Sequence, residues 1–233
     1  MINLTFLLDM ENYFSYISIY SNYNSEDKMD SAIKEQLIVA GYNTIFILAL
    51  VIGIGLLLNT FKMKILDLLC KLFGKKVGEF MVNRLTFIGV IHHELSHAFM
   101  ALICGAQVTE VSIFKFKGDT LGNVKFIPRG PKMFRDLQMC FAALAPAICG
   151  ISTLYLMSYF INMRCDLVWW EWIILIYIEL SVLLHMTLSK VDIKAAFRGM
   201  FTTLTIIYII FFFTKFNFVI ELTEMVKSFK IKV

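Results

Sequence analysis

The sequence is poor in residues that break or cross-link a chain. Its 233 residues include three prolines and twelve glycines, and no stretch rich in either marks a linker between folded domains. Its five cysteines are odd in number, show no C-x-x-C spacing and fall mostly in apolar segments, so neither a disulfide framework nor a cysteine-based metal site is indicated. No internal repeat is visible. We therefore expect a single domain over residues 1–233.

Charged residues are also scarce. They make up 17% of the chain, whereas 58% of the residues are hydrophobic and the mean hydropathy is +0.72. This composition is typical of a membrane protein. The net charge of +4 comes from basic clusters beside apolar runs, which suits phospholipid headgroups better than a nucleic-acid groove. We expect a multi-pass protein of the cell membrane, in contact with the lipid bilayer and without a nucleic-acid partner.

Long uncharged runs predict the architecture. Residues 1–36 are polar and lack the features of a cleaved secretory signal, so we expect this segment to be retained. Residues 37–61 carry no charge and exceed the roughly 20 residues that cross a bilayer. Residues 62–79 include five lysines and predict an amphipathic helix at the interface. Four further apolar segments follow, at 80–104, 137–160, 167–188 and 200–220. The predicted fold class is mainly α, a polytopic transmembrane helix bundle with about five crossings.

One stretch departs from the helical pattern. The residues GAQVTEVSIFKFKGDTLGNVKFIPRG, between the second and third apolar segments, alternate apolar and polar side chains around the turn sequence GDTLGN. They predict two short strands joined by a turn, with an edge at Val108 to Phe116 that can pair with another strand. We therefore expect a small β-hairpin directly after the second apolar segment.

Histidine is rare as well, and three of the four histidines stand together in HHELSHAFM, residues 92–100. His93 and His97 are four residues apart, so on a helix they share one face about 6 Å apart along the axis and can bind one metal ion. In H-E-x-x-H sites the glutamate, here Glu94, is the general base that takes a proton from the water attacking a peptide carbonyl. Burying such groups among apolar residues is costly, which argues against a chance pattern. His92 points about 100° away and is expected to be a neighbour of the site.

A zinc site for hydrolysis needs a third protein ligand and an open position. With five crossings, the second and fourth helices run parallel, which places Asp192 on the membrane side where the motif helix ends. We predict Asp192 as this ligand, and its alternative role is to cap the last helix. The other candidates are acidic or imidazole side chains of later segments: Glu179, His185, Glu171 and Asp136.

These residues resemble the site-2 protease family of intramembrane zinc metalloproteases. The stretch HHELSHAFMALICGAQVTEVSIFKF is similar to the zinc-binding helix of that family, which is followed by a small sheet starting at a glycine. FAALAPAICG is similar to its Gly-Pro-x-x-Asn segment, with Pro146 retained, Ala145 in place of glycine and Cys149 in place of asparagine. The resemblance spans roughly residues 80–200, the expected catalytic core, and implies that Asp192 is the third ligand by position.

The predicted function is that of an intramembrane zinc metalloprotease, a metalloendopeptidase that hydrolyses peptide bonds of membrane-embedded or membrane-proximal substrates in regulated intramembrane proteolysis. Its partner would be a membrane protein or peptide substrate, bound to the hairpin as an added strand. Two alternatives stay open: a non-proteolytic metal-binding membrane protein, such as a degenerate protease, scaffold or sensor, and a membrane zinc hydrolase of small or lipidated peptides. A transporter with a histidine site is less favoured, since more polar residues would be expected across several helices. The sequence leaves the substrate and the oligomeric state open.

Overall fold

A computed structural model describes residues 25–113, 122–164 and 166–231. This part of the chain contains seven α-helices and one two-stranded sheet. The helices are α1 (Ser25–Phe73), α2 (Lys75–Phe80), α3 (Phe87–Ile103), α4 (Lys132–Met163), α5 (Trp169–His185), α6 (Lys190–Thr214) and α7 (Phe218–Ile231). The strands are β1 (Gln107–Ser112) and β2 (Asn123–Ile127), and a short π-helix, Met81–Leu85, lies between α2 and α3.

Three of the described helices are long and apolar enough to cross a membrane. They are the part of α1 from Asp30 to Phe73, α4 and α6. Helices α3 and α5 contain 17 residues each, which corresponds to about 25 Å of helix. The mainly helical fold with a small two-stranded sheet is therefore confirmed, whereas the count of five crossings stays a prediction.

Several predicted helix boundaries are wrong. No break separates a crossing at 37–61 from an interfacial helix at 62–79, because α1 continues to Phe73 and ends only before Gly74. Lysine side chains change the polarity of a helix surface but leave the backbone hydrogen bonds intact, so a charge pattern does not mark the end of a helix. The last predicted segment, 200–220, is instead covered by α6, which ends at Thr214, and by the start of α7.

The chain forms two compact units. One consists of Met1–Phe46 and Ile207–Val233, and in its described part the Asn43 amide donates a hydrogen bond to the Phe216 carbonyl at 2.9 Å. The other, Ile47–Ile206, contains α3, the hairpin, α4 and α5. All of the predicted site residues lie in this second unit.

Small side chains fix the hairpin to α3 and α4. Ala101 of α3 and Ala142 of α4 are fully buried and belong to one apolar cluster. Val108 of β1 and Phe126 of β2 pack against this cluster. Small residues let backbones approach closely, which is how helices commonly pack in a bilayer. Because Ala101 lies one helical turn beyond His97, this packing attaches the hairpin at the end of the motif helix.

A glycine turns the chain from α3 into the sheet. Gly105 has a φ of 83°, its N–H donates to the Leu102 carbonyl at 2.9 Å, and the Ala106 N–H donates to the Ala101 carbonyl at 2.8 Å. This is the Schellman arrangement that commonly ends a helix at glycine. Strand β1 then pairs antiparallel with β2, as predicted. The tip of the hairpin, 114–121, lies outside the described residues, and so does the end of the predicted pairing edge.

Candidate metal centre

His93, His97 and Asp192 converge on one point. The two Nε2 atoms are 3.1 Å apart, His97 Nε2 is 3.3 Å from Asp192 Oδ1, and His93 Nε2 is 3.6 Å from Asp192 Oδ2. Each residue offers one ligand atom, and these atoms all lie within 4.8 Å of one another. The exposed fractions of the three side chains are only 10 to 15%. Helix α3 and the first turn of α6 thus bring together the three predicted ligands in a group that can hold a metal ion.

A proline in α4 leaves a backbone carbonyl free to pair with His97. Pro146 lies inside the helix and has no backbone N–H, so the carbonyl of Ala142, four residues earlier, lacks its usual helical donor. His97 Nδ1 donates to this carbonyl at 2.7 Å. The proline therefore leaves an acceptor that holds the ring with Nε2 directed at Asp192.

The end of α5 provides the corresponding partner of His93. The last four carbonyls of an α-helix have no donor within the helix, and His185 is the final residue of α5. His93 Nδ1 donates to the His185 carbonyl at 2.6 Å. The imidazole of His185 turns elsewhere, with Nδ1 3.0 Å from the Ser181 carbonyl. His185 thus contributes its backbone to the site and not its ring.

The two carbonyls decide which nitrogen of each ring carries the proton. Because a carbonyl oxygen can only accept, Nδ1 of both rings must be protonated, which leaves a lone pair on each Nε2. Two lone pairs and a carboxylate facing one another at 3.1 to 3.6 Å need a proton or a cation between them. Two imidazole nitrogens and one carboxylate oxygen form a donor set that zinc binds in catalytic sites, with a fourth position left open. The residues therefore fit the predicted metal.

Comparison with known proteins does not extend this description. No protein-family model, curated protein or solved structure matches the chain. The basis for a functional conclusion is therefore the geometry of the chain's own residues.

The predicted general base lies beside the cluster and under the hairpin. Glu94 follows His93 in α3 and is 9% exposed. Gly122, the residue before β2, packs against it so closely that a Cβ there would lie 2.4 Å from Glu94 Cγ and 2.7 Å from Glu94 Oε1. Only glycine fits at this contact without a shift of one of the two segments. The hairpin and the Glu94 carboxylate are thus adjacent.

Asp192 both supports the start of α6 and faces the two histidines. Its Oδ2 accepts a hydrogen bond from the Ser189 N–H at 2.8 Å, and its own N–H donates to Ser189 Oγ at 3.2 Å. This reciprocal pair is a capping box at the start of α6. The capping leaves Oδ1 directed at His97, so the same carboxylate closes the helix end and faces the histidines.

The remaining candidates for a third ligand do not belong to this group. Glu171 Oε2 accepts from the Val168 N–H at 2.9 Å at the start of α5. Asp136 accepts from the Thr202 hydroxyl at 2.8 Å. The group of three that can hold a metal includes none of the following: Glu171, Asp136, Glu179 and His185.

His92 lies outside the cluster, as expected. Its Nε2 is 3.0 Å from Thr153 Oγ1 on α4.

Sequence reasoning missed the carbonyls of Ala142 and His185 that hold the rings of His97 and His93. Pro146 was a usable signal for the first, because a proline inside a helix frees the carbonyl four residues before it. No local pattern indicates the second.

Proposed function

We propose that this chain is an intramembrane zinc metalloprotease of the site-2 type. The observation that carries the proposal is the convergence of His93 Nε2, His97 Nε2 and the Asp192 carboxylate, with both rings held through Nδ1 and with Glu94 beside them. A site that only held a metal would not need the glutamate, whereas hydrolysis needs a base next to the metal. The three helices of membrane-spanning length support a location within the bilayer.

The roles of the residues follow from this arrangement. A zinc ion bound by these three side chains would polarise the substrate carbonyl and make bound water acidic enough to lose a proton near neutral pH. Glu94 takes the proton from the attacking water and delivers it to the nitrogen of the leaving amine. The carbonyls of Ala142 and His185 keep the two rings in the orientation and the tautomer that ligation requires.

The hairpin provides a means of binding an unwound substrate. Peptide bonds of a transmembrane helix are protected by i to i−4 hydrogen bonds, so a segment must unwind before it can be cleaved. In the described residues the sheet has only two strands, and each strand therefore pairs along one edge. A substrate segment adds to the sheet as a third strand, main chain to main chain. The contact of Gly122 with Glu94 brings this sheet next to the base.

The test compares membranes that contain the wild-type protein with membranes that contain Glu94→Gln. Released fragments of membrane proteins are identified by mass spectrometry, and the zinc content of both purified proteins is measured. We expect Glu94→Gln to retain zinc and to lose all fragment release, because it removes the base without removing a ligand. Glu79→Gln is the matched control, since Glu79 is exposed on α2.

The possible results separate the alternatives. Fragments that persist in Glu94→Gln membranes contradict the role of this residue and the proposal of proteolysis. Zinc binding without any Glu94-dependent fragment favours a metal-binding protein without protease activity. A protein that cleaves short or lipidated peptides but releases no fragment of a membrane protein would instead be a membrane zinc hydrolase of such peptides.

A further inference from the structure

Helices α3 and α5 are joined by polar contacts that repeat every four residues on both helices. The Tyr177 hydroxyl donates to the Leu85 carbonyl at 2.7 Å, just before α3 begins. Four residues further along each segment, the Gly89 N–H donates to Ser181 Oγ at 2.8 Å. Another four residues bring His93 Nδ1 to the His185 carbonyl at 2.6 Å. Because a step of four residues is about one helical turn, the three contacts form a ladder that sets the register of the two helices.

The middle contact of this ladder is the most constrained. Ser181 is fully buried, and its hydroxyl donates to the Thr86 carbonyl at 2.9 Å while it accepts from the Gly89 N–H. Thr86 is the N-cap residue of α3, but its own side chain makes no capping hydrogen bond. A capping side chain normally accepts from the N–H two or three residues into the helix, which is the position of Gly89. Ser181 therefore caps α3 from a neighbouring helix and shares the Gly89 N–H with the Thr86 carbonyl, which accepts from it at 3.1 Å.

The absence of a side chain at residue 89 permits this contact. A Cβ on Gly89 would lie 2.0 Å from the Ser181 carbonyl oxygen and 2.7 Å from His185 Nδ1. Both distances are too short for a real atom, so a larger residue would push α5 away from α3. Such a displacement would act directly on the His185 carbonyl, one turn further along, which holds His93.

We propose that Ser181 is a positioning residue of the metal centre: by capping α3 at Gly89 it sets the register in which the His185 carbonyl holds His93 for ligation. This inference rests on the proposed function for the identity of the metal, but the hydrogen bonds that it concerns join protein atoms only. Substitution of groups that hold metal ligands typically lowers metal affinity about 10-fold to 100-fold. Loss of Ser181 Oγ therefore weakens metal binding, although Ser181 contacts no ligand atom.

The experiment uses full-length protein in detergent and two readouts. Nitrogen NMR of metal-free protein labelled with ¹⁵N-histidine reports the tautomer of each ring, and with four histidines the signals can be assigned by substitution. Titration with Co²⁺, followed by its visible absorption, reports affinity and ligand geometry. We expect wild-type His93 to be protonated at Nδ1 alone, and Ser181→Ala to mix the tautomers of His93 and to lower Co²⁺ affinity about 10-fold.

Two further variants control for a general loss of structure. Ser152→Ala removes an exposed serine whose hydroxyl donates only within α4, to Ile148, and should change neither readout. Tyr177→Phe removes the ladder contact furthest from His93 and should have a smaller effect than Ser181→Ala. A Ser181→Ala protein with wild-type tautomers and wild-type Co²⁺ affinity would overturn this inference alone. Failure of the wild type to bind Co²⁺ or Zn²⁺ would instead overturn the proposed function, and with it the positioning of a metal ligand.

Discussion

Replacing Asp192 by asparagine separates its proposed role as a metal ligand from its role in the capping box of α6. The amide oxygen of asparagine can still accept from the Ser189 N–H, but the negative charge beside the two Nε2 atoms is lost. Without metal, a proton can hold the carboxylate and the imidazoles together, and the asparagine amide can instead donate to an Nε2 lone pair, so the two proteins should differ little in stability. With zinc the variant should be clearly the less stable protein. The size of the stability difference therefore depends on the metal.

The size of the effect follows from linkage. Zinc at 100 times the wild-type Kd stabilises the folded protein by about 2.7 kcal/mol. Loss of a ligand should cost no less than loss of a group that supports one, so if binding weakens at least about 100-fold, the same zinc concentration leaves at most about 0.4 kcal/mol. For a chain of this length, 1 kcal/mol corresponds to roughly 2 to 4 °C in Tm. The zinc-induced rise in Tm should thus fall from about 5 to 11 °C to at most about 1 to 2 °C.

Thermal unfolding in detergent, with and without zinc, provides the measurement. Ser189→Ala is the matched control, because it removes the hydroxyl half of the capping box and leaves the carboxylate in place. It should lower the Tm in both conditions, by a stability loss of about 1 kcal/mol, and keep the full zinc-induced rise. If Asp192→Asn shows the wild-type rise, Asp192 is not a ligand and the assigned donor set is wrong.

Two further substitutions test the surroundings of the site. Pro146→Ala restores an N–H that competes with His97 for the Ala142 carbonyl. Zinc affinity should therefore fall about 10-fold or more, while the stability of the metal-free protein is unchanged or higher. A calorimetric zinc titration measures the affinity, and an unchanged value would contradict this prediction. Gly122→Ala places a methyl group against Glu94 and should lower the cleavage rate by up to about 100-fold while zinc stays bound. Gly53 has open space around its Cβ position, so Gly53→Ala should change neither the cleavage rate nor zinc binding. Equal cleavage rates of the Gly122 and Gly53 variants would show that the hairpin does not fix the position of the Glu94 carboxylate.

Local spacing was enough to predict part of the site. The four-residue interval of His93 and His97 on a helix is a property of the sequence itself, and the structure places both Nε2 atoms 3.1 Å apart. Asp192, nearly a hundred residues later, was selected because helices of the same direction end on the same side of a membrane. That reasoning identified the aspartate that lies nearest the histidine pair, although the count of crossings on which it depended is itself unconfirmed.

Boundaries of helices were harder to predict, for a physical reason. Hydropathy reports which solvent surrounds a segment, whereas a helix ends where backbone hydrogen bonds stop. Helix α1 passes from apolar to lysine-rich sequence without ending, and continues to Phe73. Conversely, the apolar segment 80–104 is interrupted at Thr86, although no proline stands there. The break matters because it creates the helix start that Ser181 caps.

The interruptions of helices account for where the candidate metal centre lies. A bilayer offers no water to a carbonyl that has lost its helical donor, so each such carbonyl must find a partner within the protein. Pro146 frees the carbonyl of Ala142, and the end of α5 frees that of His185. Both find the Nδ1–H of a histidine on α3, which directs each Nε2 away from its carbonyl and toward Asp192. Two carbonyls without a helical donor would each destabilise an apolar helix bundle, but here each one pairs with the N–H of a histidine. Both pairs can form only if His93 and His97 keep their four-residue spacing opposite the two carbonyls.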